Sequence, residues 1–311
     1  MTTNTSEGIA ASLSGDPRRQ RREVFWRLFF LGAAATSIVI TIAIVLSLVG
    51  EAWVFITSID LSSLWDIGWF PRRGAFDIRT IVLGTLLVAA IAMLVATPLG
   101  LGAAMYLSEY ARPRVRKVLK PALEILAGVP SVVLGYFALT FITPEILKAL
   151  FGNAIAGFNL LAAGIGVGIL TVPLVASIAE DSMRAVPVSL REASYGLGAS
   201  RMVTSIRVVF PAAVSGIVAA LIIGLSRAIG ETMVVAIASG ATGGSLFSWN
   251  VLQPGQTMTA AMASLAIGSD QVRGADFAFQ SLFFVGLVLF LITLVLNVLS
   301  ERFVRRVRQR Y

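Results

Sequence analysis

The chain has 311 residues, 57% of them hydrophobic and only 14% charged, with a formal net charge of +8. Soluble globular domains carry about 25% charged and about 45–50% apolar residues, so the balance excludes an ordinary soluble fold and points to lipid. Cysteine and histidine are absent, which excludes disulfide frameworks, Cys/His zinc sites, thiol nucleophiles and imidazole acid–base chemistry.

In chain order, residues 1–17 are rich in Ser, Thr and Gly without periodicity and read as disordered. Six apolar stretches then meet the length of about 20 residues needed to cross a bilayer. They are Trp26–Gly50, Ile81–Leu107, Ala122–Ile142, Leu160–Ile178, Ala212–Gly240 and Phe277–Leu299. Gly128-Val129-Pro130 and Pro173 interrupt two of them, which membrane helices tolerate where neighbours satisfy the freed backbone. The first stretch follows a basic lead-in, as a signal peptide does. Its apolar run is about twice the usual 7–15 residues and no small-residue cleavage site follows closely, so it reads as an uncleaved helix.

Six spans put both termini on one side, and the basic residues choose that side. Nineteen of the 25 Lys and Arg residues fall in four segments: the N-terminal tail, the loop Arg112–Lys120, the loop Arg184–Arg207 and the C-terminal tail. That face is expected to be cytoplasmic, in a multi-pass membrane protein. The expected division is 1–25 cytoplasmic tail, 26–50 first membrane helix, 51–80 extracytoplasmic loop, 81–299 membrane core containing a cytoplasmic loop at 179–211, and 300–311 basic tail. The high net charge is thereby a topology signal, and nucleic-acid binding is not expected. Two more external segments fall at 143–159 and 241–276. The loop 51–80 holds Trp53, Trp65, Trp69 and Phe70. Such aromatics favour the membrane interface, so the simpler reading lays this loop along the membrane surface, and the sharper one makes it a docking surface.

A P-loop requires Gly-Lys-[Ser/Thr]. The lysines are Lys117, Lys120 and Lys148, and none follows a glycine. No nucleotide site is expected in this chain, nor any enzymatic or cofactor chemistry of its own.

The cytoplasmic loop Ala179–Pro211 reads as two short helices. Ser189 is placed to cap the first, with Glu192 in its first turn. Gly196 and Gly198 permit a sharp turn. Met202, Val203, Ile206 and Val209 follow at helical spacing, and Pro211 opens the fifth span. Such a knob suits contact with a soluble partner, and equally an ordinary connection. Glu192-Ala193-Ser194, Gly198, Val208, Phe210 and Pro211 match in spacing the E-A-A, three residues, G, nine residues, I, one residue, L-P pattern. The loop therefore resembles the EAA loop of ABC importer permeases, with departures at Ser194, Val208 and Phe210. The resemblance implies a coupling helix seated in an ATPase subunit. It also implies an all-α membrane fold with a MetI-like core of five helices, preceded by one N-terminal helix.

In the fifth span, Arg227 and Glu231 stand four apart, on one face of a continuous helix. Each costs about 2.5–3.5 kcal/mol at the centre of a membrane helix, so both are expected to face the bundle interior or a water-filled path. They read either as a self-neutralising ion pair or as an anion site, in which the Arg227 fork meets an oxyanion and Glu231 tunes it. The stretch Leu225–Val235, with its Glu231-Thr232-Met233 continuation, resembles phosphate-specific importer permeases of the PstC type rather than the PstA type. Ala104–Ala111 and Glu124–Tyr136 are similar to further segments of that family. The resemblance implies a substrate path at Arg227, Glu231 and Thr232, and a paired PstA-type permease. It further implies two PstB-type ATPase subunits that bind ATP and Mg, and a PstS-type external phosphate-binding protein. The loop 51–80 is short for the type. The rival readings are a permease for sulfate, molybdate or phosphonate, an ion-coupled transporter or channel, and a subunit that reports phosphate supply.

Overall fold

The computed structural model describes residues 17–240, 244–267 and 277–307. Most of the segment expected to be disordered, together with Arg273, Arg308 and Arg310, lies outside the described residues. Two units are distinguished, one ending at Gly50 and one beginning at Glu51. The first helix, α1, runs Pro17–Ser58, beyond the expected 26–50 at both ends. Between Arg21 and Gly50 its side chains are almost all exposed. An apolar helix exposed all round is stable only against lipid.

In the second unit, two long helices form the centre. Helix α2 (Ile78–Met105) starts at Asp77, which is fully buried. The Asp77 carboxylate accepts hydrogen bonds from Arg79 N at 3.1 Å, Arg79 Nε at 3.0 Å and Thr80 Oγ1 at 2.9 Å. This N-cap places the start three residues before the apolar run suggested. A π-helical turn, Tyr106–Tyr110, closes it. Further along the chain, α5 (Leu160–Arg184) is capped by Asn159, whose Oδ1 accepts from Ala162 N at 2.7 Å. Where α5 meets α2, a Cβ added at Gly164 would lie 2.6 Å from Ile91, and one at Gly168 would lie 2.8 Å from Val95. In lipid, association depends on such close backbone approach because apolar burial offers little.

The third span differs from expectation. The segment from Ala122 does not continue as one helix to Ile142. Helix α3 (Pro113–Ala127) ends at Gly128, and a new helix, α4 (Ser131–Phe137), starts after Pro130. The helical path continues through a π-helical stretch, Ala138–Leu147, and one α turn, Lys148–Phe151. Pro130 supplies no N–H and disfavours helix at Val129, so the Gly128-Val129-Pro130 interruption is a helix boundary. Helix α3 is amphipathic with a basic face, and the helix apolar enough to span begins only at Ser131.

The fifth span is also divided. Helices α6 (Val188–Gly196) and α7 (Arg201–Thr204), the latter extended by Ser205–Val209 and Phe210–Ala212, precede α8 (Val214–Gly230). The chain bends by 71° between Ala212 and Val214. Pro211 therefore lies before a sharp corner rather than at the start of a continuous span. Helix α8 has 17 residues, or about 25 Å of rise, short of a bilayer core of about 30 Å. A second piece, α9 (Met233–Ala238), follows the break at Glu231-Thr232. Helix α11 (Ala278–Val307) completes the bundle. Among the described residues, five helices are long and apolar enough to span, and a sixth if the bent pair Arg201–Ala212 and Val214–Gly230 counts as one.

The segment expected as a surface-lying loop is folded. It contains β1 (Gly68–Phe70) and β2 (Ala75–Phe76), which pair with β3 (Ser245–Leu246) in the antiparallel order β2-β1-β3. Trp69 pairs with Phe76 and Ser245. A short apolar helix, α10 (Met258–Ile267), packs beneath this patch. Trp69 and Phe76 are buried with Phe55, Ile81 and Met258. Burial rather than interface anchoring accounts for Trp69, while Trp53 and Trp65 remain 67% and 64% exposed.

Candidate transport path and coupling loop

The Glu192 loop forms the knob read from sequence, with different caps. Helix α6 begins after Pro187 without a side-chain cap, so Ser189 lies inside it and Glu192 beyond its first turn. The residue before α6 is proline, whose φ and missing N–H already suit a helix start. Gly198 has φ +80°, a left-handed conformation that reverses the chain at little steric cost only for glycine. Ser200 caps α7, and Ser194 and Thr204 hydroxyls lie 2.9 Å apart, tying the two helices together. Glu192, Ala193, Gly198 and Pro211 are exposed and Ser194 is half-buried. Met202, Val203 and Ile206 are exposed while Val209 is buried. The helical stripe therefore serves two purposes: Val209 enters the core, and the other three add to a projecting apolar surface with Val188 and Leu197, the latter 90% exposed.

Arg227 and Glu231 do not form the pair expected of a continuous helix. Arg227 lies in the last turn of α8, and Glu231 is the extended residue after it, with φ −70° and ψ 129°. The helix path ends between them, so four-residue spacing no longer stacks the two side chains. The Glu231 carboxylate instead accepts from Val234 N at 3.3 Å, at the start of α9. The Glu231 carbonyl accepts from Thr259 Oγ1 at 2.8 Å, which fixes the break against α10. Thr232 is half-buried and donates to Gly230 O at 3.3 Å. Arg227 makes no hydrogen bond or ion pair with the described residues. It borders a cleft of about 350 Å³ with Glu124, Pro173 and Ser177. Arg227 is exposed on the surface of this single chain, and within an apolar helix a guanidinium without a protein partner requires water, an anion or a partner subunit. Among the described residues no three carboxylates gather to hold a metal ion.

Comparison with known proteins gives the geometry a family. Residues 96–310 match the model of the binding-protein-dependent transport system inner membrane component. The chain belongs to this permease family. It is similar to a Mycobacterium tuberculosis protein named phosphate transport system permease protein PstC 1, at 38% identity over 76% of this chain and 75% of that one. It is also similar to the Xylella fastidiosa phosphate transport system permease protein PstC, at 28% identity over 95% and 94% of the two chains. Among solved structures, a bacterial alginate ABC transporter matches with a TM-score of 0.65 at 14% identity, over 94% of this chain and 100% of that one. The methionine transporter MetNI matches with a TM-score of 0.56 at 18% identity over 75% and 96%. These likenesses show a mostly helical, MetI-like permease fold, and the family together with the long apolar helices makes this a multi-pass inner-membrane protein.

One residue of the permease carries a role that spacing did not disclose. Arg191, next to Glu192, is turned away from the exposed knob and into the protein. Its Nη2 donates to Glu109 Oε1 at 2.9 Å and its Nε to Glu109 Oε2 at 3.4 Å. Nη1 also donates to Val186 O at 2.6 Å, and Nη2 to Met183 O at 2.8 Å. One guanidinium thus joins α6 to the end of α2 and to the last carbonyls of α5, where a cation also suits the helix dipole. The only sequence signal was the half-helical position of Arg191 before the Glu192 motif, which does not reveal a partner 82 residues away.

Proposed function

We propose that this permease is the transmembrane subunit of an ATP-driven importer of inorganic phosphate. The observation that carries the reading is Arg227, an exposed guanidinium in the last turn of the apolar helix α8, without a partner among the described residues, beside a cleft at a helix break. Its planar fork suits a tetrahedral oxyanion, and relatives bearing the PstC name point to phosphate. Glu231 and Thr232 hold the break that presents Arg227, and the path runs along the interface with a second, PstA-type permease.

The knob containing Glu192, Ala193, Ser194, Gly198 and Pro211 faces the cytoplasm. It fits into one of two PstB-type ATPase subunits, which bind ATP and Mg, and this chain contributes no ATPase site. Both termini lie on that same face. A PstS-type protein delivers phosphate to the opposite face, where β1, β2, β3 and α10 lie. ATP-driven closure of the ATPases moves the knob, and Arg191 transmits the motion to α2 and α5.

The test is ATP-dependent uptake of labelled phosphate in cells lacking the chain, with sulfate as the control anion. Restoration of phosphate uptake by the wild-type chain and not by Arg227→Ala is expected. Arg227→Lys is expected to impair uptake as well, because Lys retains charge and loses the fork. Restored sulfate uptake, or unchanged kinetics in both variants at normal membrane levels, would overturn the reading.

A further inference from the structure

A second polar cleft, of about 610 Å³, lies between α3 and the end of α5. Its size is within the range of about 300–1,000 Å³ typical of small-molecule sites, and charged side chains share its walls with apolar ones such as Leu107 and Pro121. Four cations border it: Arg116, Lys117, Lys120 and Arg184. Glu180, which is fully buried, receives three of them. Arg116 reaches Glu180 at 2.6 Å and Lys120 at 2.8 Å, with Arg184 at 3.7 Å. Lys120 also meets Asp181 at 2.8 Å.

A structural role for this network accounts for Arg116 and Lys120, which bind α3 to α5. It does not account for the surplus. Four cations face three carboxylates, Glu180, Asp181 and Glu124, so one positive charge is left over, and the exposed Lys117 has no hydrogen bond or ion pair with the described residues. The cleft is not isolated. Glu124 borders both it and the Arg227 cleft, so the two adjoin. Glu124 itself has no partner among the described residues. An anion released from Arg227 would pass one unpaired carboxylate and enter a cleft whose cations outnumber its carboxylates by one. The carboxylate opposes lingering between the two, and the cleft favours arrival.

We propose that the α3–α5 cleft binds a phosphate-type oxyanion, as the station between Arg227 and release. The direction of travel rests on the function proposed above; the binding does not. An anionic lipid headgroup carries the same chemistry, and the experiment separates the two sources.

Because the chain has no cysteine, Ala111→Cys places a single thiol on the wall of this cleft. The importer is purified with its partner subunits into nanodiscs of zwitterionic lipid alone. The rate at which a hydrophilic thiol reagent modifies this chain is then read by mass. Inorganic phosphate at ten times its half-protecting concentration should slow modification about elevenfold by simple mass action. Chloride at equal ionic strength should not, and adding Lys117→Gln with Arg184→Gln should abolish protection while leaving Arg116 and Lys120 on Glu180. Protection by added phosphatidylglycerol, with none by phosphate, would uphold the oxyanion site, assign it to lipid and discard the station. A rate unmoved by either would overturn the proposal, and the parent variant with intact cleft charges decides this even if the charge variants fail to fold. Protection needs no transport, so phosphate uptake that depends on Arg227 alongside an unprotected Cys would sink the cleft and leave the proposed function standing.

Discussion

Replacing Arg191 by Ala should destabilise the permease out of proportion to a loop substitution. The Arg191 side chain is 15% exposed and that of Glu109 only 4%. Removing one member of a buried ion pair leaves an uncompensated charge and costs about 3–5 kcal/mol. The carbonyls of Met183 and Val186 also lose their charged donor. Hydrogen bonds to charged groups are worth about 1.5–3 kcal/mol each, but these overlap with the pair and do not add in full. The figure of about 3–5 kcal/mol therefore stands for the whole network. The assay is a double-mutant cycle of Arg191→Ala and Glu109→Ala, read by reversible denaturation in mild detergent. Each single variant should be strongly destabilised, and the double variant should lose much less than the sum, with a coupling of about 2 kcal/mol or more within the 0.5–3 range for contacting residues. Arg191→Lys should lie between, since it keeps the charge and loses the fork. Additive losses, or a single-variant loss below about 0.5 kcal/mol, the level of ordinary surface changes, would refute the reasoning that Arg191 ties α6 to α2 and α5.

Further expectations follow from the same face of the molecule. Glu192→Lys should reduce co-purification of the ATPase with little effect on folding, since Glu192 is exposed; intact assembly with unchanged ATP-driven uptake would refute its coupling role. Gly198→Ala should cost about 1–2 kcal/mol, because the left-handed conformation is penalised for any residue with a Cβ and nothing lies within 4 Å to compensate; a variant as stable as wild type in thermal denaturation would contradict this. Burial lowers the tendency of Lys120 to stay charged, but its bonds to Asp181 and Glu180 outweigh this and hold its ammonium above the ordinary range. A raised folded-state value means that its stabilisation is complete below the unfolded-chain value of about 10.4 and is lost as pH climbs through the folded one. Stability measured across alkaline pH should fall more steeply in wild type than in Lys120→Gln, and parallel curves would count against the bridge.

Much of this protein was decided by its sequence. Apolar runs longer than a bilayer depend only on residue type and order, so the membrane class and the long helices were legible. So was the knob, because Gly198 leaves a chemical mark wherever the chain must turn left-handed, and because the Glu192–Pro211 spacing is local. Arg227 was singled out by its cost in lipid. What needed tertiary structure was every choice between local alternatives. Gly128-Val129-Pro130 could kink a span or end a helix, and the basic face of α3 packing on Glu180 made it an end. The four-residue spacing of Arg227 and Glu231 pairs them only if the helix continues. It stops because Glu231 turns to cap α9 while Thr259, 28 residues later, holds its carbonyl. Trp69 looked like an interface anchor until strands from two distant segments closed over it. Each case turns on a partner far away in sequence, and periodicity carries no information about which distant group will satisfy a charge, a carbonyl or an aromatic ring.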